Sequence, residues 1–280
     1  MKLITWNIQW GLGIDGRLDL ARIVADARRI ADFDVLCLQE VADNFPELKQ
    51  SRGENQFAEL AALLPGYTAV EGVAVDLPDG RGGRKRFGNM VLSRLPVGRV
   101  LRHAAPWVAD GSRSMPRLVI EAVVHAGFGP VRVMTTHLEF YSADQRQAQV
   151  ATIRQAHRVA ASRFVLPPKP GNGTFATDVQ TPSAILTGDF NMTPDEPILH
   201  HLLEPFDDGA PAFRDAWTIA HGDRPHPHSF CIYEQLHKPP HTSDYILVTE
   251  DLAPRVRSVH YDVDTQVSDH QPVLLELAAD

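Results

Sequence analysis

The sequence has few cysteines, no long apolar segment and a deficit of positive charge. Two cysteines among 280 residues exclude a disulfide framework or a cysteine-based zinc site as the organising feature of the fold. No apolar run approaches the roughly 20 residues that cross a bilayer. The segment 1–7 lacks the charged region, apolar region and cleavage site of a secretory signal. We therefore expect a cytoplasmic protein without a membrane anchor.

The balance of charges limits the partners that the chain can bind. Lys and Arg number 27 against 35 Asp and Glu, a formal net charge of -8, while 44% of the residues are apolar and 22% are charged. This composition excludes disorder as the main state and provides enough core for one large domain, expected over residues 1–280. The negative charge disfavours a general affinity for duplex nucleic acid, although a local basic groove stays open. We expect a monomer without a protein partner.

Ten apolar or β-branched segments predict strands, and four segments with helically spaced apolar residues predict helices. The expected strands are residues 3–8, 35–41, 67–73, 89–93, 117–124, 131–138, 184–190, 244–248, 256–262 and 273–277. The expected helices are residues 19–30, 56–64, 143–165 and 196–203. The Gly- and Arg-rich segment 76–86 and the Pro- and Gly-rich segment 167–182 are predicted to be long loops. This order of elements predicts an α/β sandwich of two stacked sheets with helices outside.

Side chains that can bind a metal or a phosphate recur where the predicted strands begin or end. They are Asn7, Glu40, His137, Asp189, Asn191, Asp244, Asp269 and His270. Each one alone is better explained as a turn, cap or surface residue. Because strand ends can converge in a folded sheet, six such places in one chain favour a shared site. The hard oxygen ligands among them suit Mg²⁺ or Mn²⁺.

The motifs that contain these residues resemble those of the endonuclease/exonuclease/phosphatase superfamily, a group of metallophosphoesterases. They span nearly the whole chain in the order typical of that superfamily. The matching pieces are Thr5-Trp6-Asn7, Leu38-Gln39-Glu40-Val41, Gly88-Asn89-Met90-Val91-Leu92-Ser93-Arg94, Thr136-His137-Leu138, Gly188-Asp189-Phe190-Asn191, Ser243-Asp244-Tyr245 and Ser268-Asp269-His270-Gln271-Pro272-Val273. The resemblance implies a four-layer α/β sandwich, with two mainly antiparallel sheets flanked by helices and a cleft at one edge of the sheets.

The resemblance also implies a metal site. Glu40 would be the principal ligand of Mg²⁺, with Asn7 and Asp269 near the ion. Gln9 stands where apurinic endonucleases often carry an acid, which disfavours that activity and a second strongly held metal. A cation on the phosphate oxygens is what the hydrolysis of a phosphoester requires.

The remaining roles implied by the resemblance are catalytic. Asp189 would orient or deprotonate the attacking water, and Asn191 beside it would hold the phosphate. His270 would donate to a phosphate oxygen, with its tautomer fixed by Asp244. His137 would be a second imidazole that faces the phosphate. An Asp–His pair suits this task because the carboxylate determines which imidazole nitrogen carries the proton.

Further substrate contacts are expected from Arg117, Asn89 and Arg146. Arg117 resembles a phosphate-contacting arginine of DNase I, although a solvated arginine at a strand end explains it equally well. Arg146 lies on the helix after His137 and is the weaker candidate. The four cations of segment 81–86 could steer a phosphate-rich substrate, but a solvated loop is the commoner explanation.

The segment 221–241 contains five histidines and Cys231. Their spacing matches no closed zinc motif, so we interpret the segment as a specificity loop rather than a zinc site. Taken together, the sequence predicts a Mg²⁺-dependent hydrolase of phosphodiester bonds, most simply those of a nucleotide or of small or single-stranded nucleic acid. The alternative is a phosphatase or phosphodiesterase that acts on inositol phosphates or phospholipid headgroups. A non-catalytic binding module is disfavoured because the catalytic set is complete apart from Gln9.

Overall fold

Twelve strands form two six-stranded sheets in the computed structural model, which describes residues 1–233 and 239–279. The strands are β1 (Lys2–Asn7), β2 (Val35–Asp43), β3 (Thr68–Pro78), β4 (Arg84–Ser93), β5 (Val97–Ala104), β6 (Leu118–Ala126), β7 (Gly129–His137), β8 (Ala184–Asp189), β9 (Phe213–Asp215), β10 (Asp244–Thr249), β11 (Val256–Tyr261) and β12 (Val273–Leu277). The first sheet has the order β11-β12-β1-β2-β4-β3 and the second has the order β5-β6-β7-β8-β10-β9. Only β1 with β2 and β7 with β8 pair in parallel among these strands.

Five α-helices accompany the sheets in the described part of the chain. They are α1 (Leu20–Ile30), α2 (Gln56–Leu63), α3 (Ala143–Val165), α4 (Pro197–Leu203) and α5 (Ala216–His221). Asp19, Asn55 and Ser142 begin the first three by accepting hydrogen bonds from backbone N–H groups of the first turn. Such caps satisfy donors that would otherwise have no partner.

The two sheets pack face to face, and helices cover their outer faces. Apolar residues of both sheets, including Val91 and Ile185, form the central core. Helices α1 and α2 pack on the first sheet, and α3 and α4 pack on the second. Gln39 is buried between the sheets, where its Nε2 donates to Thr5 Oγ1 and to Thr135 Oγ1. The predicted α/β sandwich is thereby confirmed, with two mixed and mainly antiparallel sheets.

Two strands and one α-helix were not predicted, and one segment that was predicted to be a loop is mostly strand. Strands β5 and β9 and helix α5 lie outside the predicted segments, because β5 is a half-exposed edge strand rich in charge and the other two are very short. Segment 76–86 is mostly a hairpin, since β3 and β4 extend to Pro78 and Arg84. Segment 167–182 has no regular structure except one short 3-10 helix.

None of the helices in residues 1–233 and 239–279 is both long enough and apolar enough to cross a membrane.

A substitution at Gly188 would test how closely β7 and β8 approach each other next to Asp189. It has a φ of +139°, and a Cβ at this position would lie 1.9 Å from the carbonyl oxygen of Thr136. We expect Gly188→Ala to lower the free energy of unfolding by more than about 3 kcal/mol, because neither backbone can yield. Urea denaturation measures this, with Gly127→Ala as the control because its Cβ would meet nothing within 4 Å. Equal stability of the two variants would contradict the packing described.

Candidate active site

The registers of the two sheets bring the polar strand ends to one edge of the sandwich. In the second sheet, Asp189 is the register partner of His137 on β7 and of Asp244 on β10. In the first sheet, Asn7 pairs with Gln39, which precedes Glu40. The last two predicted residues, Asp269 and His270, precede β12, which runs antiparallel to β1 and so begins at the same edge. The predicted convergence of strand ends therefore exists.

Local irregularities in the backbone direct several of these side chains into the cleft. The pairing of β2 with β4 shifts between Leu38 and Val41, which forms a bulge around Glu40. Glu40 has a φ of 62°, and Asn191 has a φ of 52°. Positive φ values are uncommon for residues other than glycine, and bulges of this kind redirect a side chain beside a site.

Asp189 lies at the centre of the cluster. Its Oδ2 accepts a hydrogen bond from Asn7 Nδ2 at 3.0 Å and lies 3.4 Å from His137 Nε2 and 3.6 Å from His270 Nε2. Its Oδ1 accepts from the backbone N–H of Asn191 at 3.0 Å. The second hydrogen of the Asn7 amide points to Glu40 Oε1 at 3.2 Å. A single carboxylate thus contacts residues from both sheets.

His270 is held by a buried acid. Its Nδ1 lies 2.9 Å from Asp244 Oδ2, which also accepts from the hydroxyl of Ser229 at 2.7 Å. The ring stacks on Phe230 with centroids 4.3 Å apart. The bond to Asp244 requires a proton on Nδ1, so Nε2 is the nitrogen that faces Asp189. Ser229 was not predicted, because a serine far from any motif carries no chemical signal in the sequence.

The cluster contains more negative than positive charge. Burial raises the pKa of Glu40, and burial together with neighbouring carboxylates raises the pKa values of Asp189 and Asp269 to about 6. Burial opposes the charged form of His270, but the charges of Asp244 and Asp189 outweigh it and hold its pKa well above the ordinary value. Burial, Arg117 and His270 hold the pKa of His137 well below the ordinary value, so this imidazole is neutral.

The excess of negative charge in this cluster is suited to the binding of a divalent cation. Asp244 Oδ1 is buried and has no hydrogen-bond donor among the described residues. Asp189, Asp244 and His270 offer ligand atoms that all lie within 4.8 Å of one another. The Nδ1 of His270 is already paired with Asp244, so this nitrogen is not available to a metal ion. Glu40 and Asp269, by contrast, line the open cleft and offer hard oxygen atoms. The donor chemistry of the cleft therefore suits a hard cation such as Mg²⁺.

Gln9 and Glu139 support the site, although neither was assigned a supporting role from the sequence. Gln9 Nε2 donates to Asp269 Oδ2 at 2.8 Å, so it orients that carboxylate. Glu139 is buried and lies 3.4 Å from Arg117 Nε. Arg117 Nη1 is also buried and has no acceptor within the described residues. Arg117 lines the cleft, and its guanidinium is held beside Glu139. The position of Glu139 two residues after His137 was the one available signal.

Three groups of predicted substrate contacts lie away from the cleft lining. Asn89 is buried and donates to the carbonyl oxygen of Leu118. The guanidinium of Arg146 donates to the carbonyl oxygens of Glu139 and Phe140 and pairs with Glu196. Three of the four cations of segment 81–86 pair with acids, and those pairs are Arg84–Asp76, Lys85–Glu47 and Arg86–Asp43. These charges have structural partners in place of a substrate.

The histidines of segment 221–241 do not gather into a cluster among the described residues. His221 lies 2.8 Å from the carbonyl oxygen of Val259, and His226 lies 2.7 Å from Asp215. His237 lies outside the described residues. The separate partners of His221 and His226 favour the loop interpretation over a zinc site.

The site residues open into a cleft of about 590 Å³. Glu40, His137, Asp189, Asp269 and His270 are among the polar residues that line it. Volumes of this size are typical of sites for small molecules. The cleft combines a candidate cation site with the Asp189 carboxylate and with the His270 imidazole, which is hydrogen-bonded to Asp244. These groups are suited to the hydrolysis of a phosphate ester.

The family model described as the Endonuclease/Exonuclease/phosphatase family matches residues 4–270. This match confirms the family resemblance predicted from the motifs. No curated protein matches the chain.

Solved structures share the fold along almost the whole chain. An endonuclease/exonuclease/phosphatase from Beutenbergia cavernae is 25% identical, with a TM-score of 0.70 over 99% of this chain and 72% of that one. A mannosyl-6-phosphatase from Bacteroides thetaiotaomicron is 15% identical, with a TM-score of 0.61 over 99% of both chains. The 3′ phosphatase NExo from Neisseria, solved with a product DNA hairpin, is 21% identical, with a TM-score of 0.60 over 99% of both chains.

Asp189→Asn should stabilise the protein in the absence of divalent cations. The folded-state pKa of Asp189 is about 6 against an ordinary value of 3.8, so the folded protein binds this proton more tightly than the unfolded chain does. The charged carboxylate therefore destabilises the fold above pH 6, and this penalty vanishes below about pH 4. We expect a gain of ~1–3 kcal/mol at pH 8 in EDTA that disappears at pH 4, as measured by urea unfolding. The exposed Asp195→Asn is the control and should show no gain in the free energy of unfolding. If Asp189→Asn also shows no gain, the excess of negative charge at the site is refuted.

Proposed function

The chain belongs to the endonuclease/exonuclease/phosphatase family, and from its cleft we propose that it is a Mg²⁺- or Mn²⁺-dependent phosphodiesterase. One observation carries the proposal: Glu40, Asp189, Asp269 and His270 line one cleft in which negative charge is in excess. Glu40 and Asp269 would hold the ion, with Asn7 beside them. When bound, the ion neutralises charge on the phosphate oxygens and acidifies water.

The remaining work falls to residues of this chain. Asp189 accepts the proton of the attacking water, and its two oxygens are kept in place by Asn7 and by the backbone of Asn191. His270 carries a proton on Nε2 and through it donates a hydrogen bond to a phosphate oxygen, while Asp244 holds the other nitrogen. Arg117, which lines the cleft, contributes a positive charge beside the phosphate. Hydrolysis of a phosphoester needs this positioning and charge stabilisation rather than covalent catalysis.

The preferred substrates are nucleotides or short single-stranded nucleic acids. The net charge of -8 disfavours long duplexes, and the cations of segment 81–86 are mostly paired with acids. The decisive assay compares plasmid DNA, single-stranded oligonucleotides, abasic duplex, bis-p-nitrophenyl phosphate, sphingomyelin and inositol polyphosphates with Mg²⁺, Mn²⁺ or EDTA. We expect cleavage of the oligonucleotides and of bis-p-nitrophenyl phosphate that stops in EDTA. Activity that persists in EDTA would refute the metal mechanism, and cleavage restricted to lipid would refute the nucleotide preference.

Asp189→Asn should lower kcat on bis-p-nitrophenyl phosphate by about a hundredfold or more, which is the usual scale of general base catalysis. An amide keeps the shape of the side chain but cannot accept the proton. The exposed Asp195→Asn is the matched control and should retain wild-type kcat. Near-wild-type turnover by Asp189→Asn would exclude Asp189 as the base.

Glu40→Gln should raise the Mg²⁺ concentration for half-maximal activity by roughly tenfold or more, the scale seen when even a supporting ligand contact is lost. The amide removes the negative charge that would hold the ion. Glu59→Gln, on the exposed face of α2, provides the control and should leave the Mg²⁺ dependence unchanged. An unaltered Mg²⁺ requirement in Glu40→Gln would place the ion elsewhere.

A further inference from the structure

We infer that the cleft has an apolar arm that binds an uncharged, apolar substituent on the phosphate of the substrate. This inference rests on the proposed function and adds the chemistry of the group attached to the phosphate. The apolar arm consists of the cleft residues Trp10, Phe45, Leu48, Leu77, Met115 and Phe140. It belongs to the same cavity as Asp189 and His270.

The apolar surface begins at the residue proposed to contact the phosphate. Phe230 stacks on the ring of His270 at a centroid distance of 4.3 Å. Phe140 makes an edge contact with Phe230 at 6.5 Å, and Tyr141 makes one with Phe140 at 4.8 Å. Aromatic rings therefore lead from the imidazole along the cleft. A substituent on a phosphate bound at His270 would lie against these rings.

A second group of apolar side chains completes the arm. Phe45 packs edge-on against Phe87 at 6.2 Å, and Leu48 and Met115 pack on the same small cluster while remaining partly exposed to the cleft. Leu77 of β3 is 50% exposed and also lines the cleft. Apolar surface that stays open beside a reactive centre is typical of a ligand site.

The charges along the cleft offer little attraction to a long phosphate backbone. The cleft lining contains three cationic groups, those of Arg113, Arg117 and His270, and four carboxylates, those of Glu40, Glu139, Asp189 and Asp269. Arg117 already faces Glu139. A groove that follows a nucleic-acid backbone needs a series of free cations. The arm therefore suits an uncharged group.

The wall that contains Met115 is held in place before any substrate binds. Asp110 accepts hydrogen bonds from the hydroxyl of Ser142 and, at 3.1 Å, from Gln145 Nε2, which ties the segment before Met115 to the start of α3. A preformed apolar wall loses little entropy when a ligand binds.

The test measures binding of alkylphosphonates from methyl to octyl by calorimetry with saturating Mg²⁺. These probes cannot be hydrolysed and carry one substituent, so binding is measured even if no substrate is turned over. We expect the Kd to fall by about threefold for each added methylene until the arm is filled. Thymidine 5′-phosphate serves as the second source of an apolar group. Tighter binding of this nucleotide than of methylphosphonate, without a chain-length trend, would overturn the apolar substituent and assign the arm to a nucleobase.

Two variants separate the arm from the phosphate site. Leu77→Ser should reduce the ratio of octyl to methyl affinity by about threefold or more, because it removes apolar surface at the arm alone. Val165→Ser, at a position 82% exposed on α3 and away from the cleft, should leave that ratio unchanged. Equal affinity for all alkyl lengths and for the nucleotide would overturn the inference, and so would an unchanged ratio in Leu77→Ser. Phosphonate binding that follows chain length without hydrolysis of any ester would refute the proposed function alone.

Discussion

The position of the Asp189 carboxylate is the constraint on which the site depends. Its place is fixed by the register of β8 with β7 and β10, which sets it opposite His137 and Asp244. Asn7, from the other sheet, donates to the same carboxylate. A shift of one residue along β8 would turn this side chain to the opposite face of the sheet. The chemistry of the cleft therefore depends on the packing of the two sheets.

The buried carboxylates of the site destabilise the fold that holds them in place. Burial raises the pKa values of Asp189 and Asp269, so the ionised site destabilises the fold near neutral pH in the absence of a cation. Strained backbone at Glu40 and Asn191 adds to the same cost. The surrounding apolar cores on both sides of each sheet supply the opposing stability. Conflict between local preference and fold is expected where residues are placed for chemistry.

The sequence allowed most of the fold and the convergence of polar strand ends at one edge to be predicted, for a physical reason. Buried strands require continuous apolar runs, so a polar residue at the end of such a run, such as Asn7 or Asp189, is conspicuous. Strand β5 escaped prediction because an exposed edge strand needs no such run. Arg146 was assigned to the substrate because a charge does not reveal its partner, and the backbone carbonyl groups that it contacts come together only in the folded chain.

The excess of acid in the cleft also determines how specificity can arise. A protein that binds phosphate through many basic side chains gains affinity from every charge along a polymer. In this cleft a bound cation and Arg117 would supply most of the attraction for one phosphate, and few further cations are available to a long polymer. Discrimination between substrates then depends on the neutral surface beside His270, where burial of apolar area differs from one substituent to another.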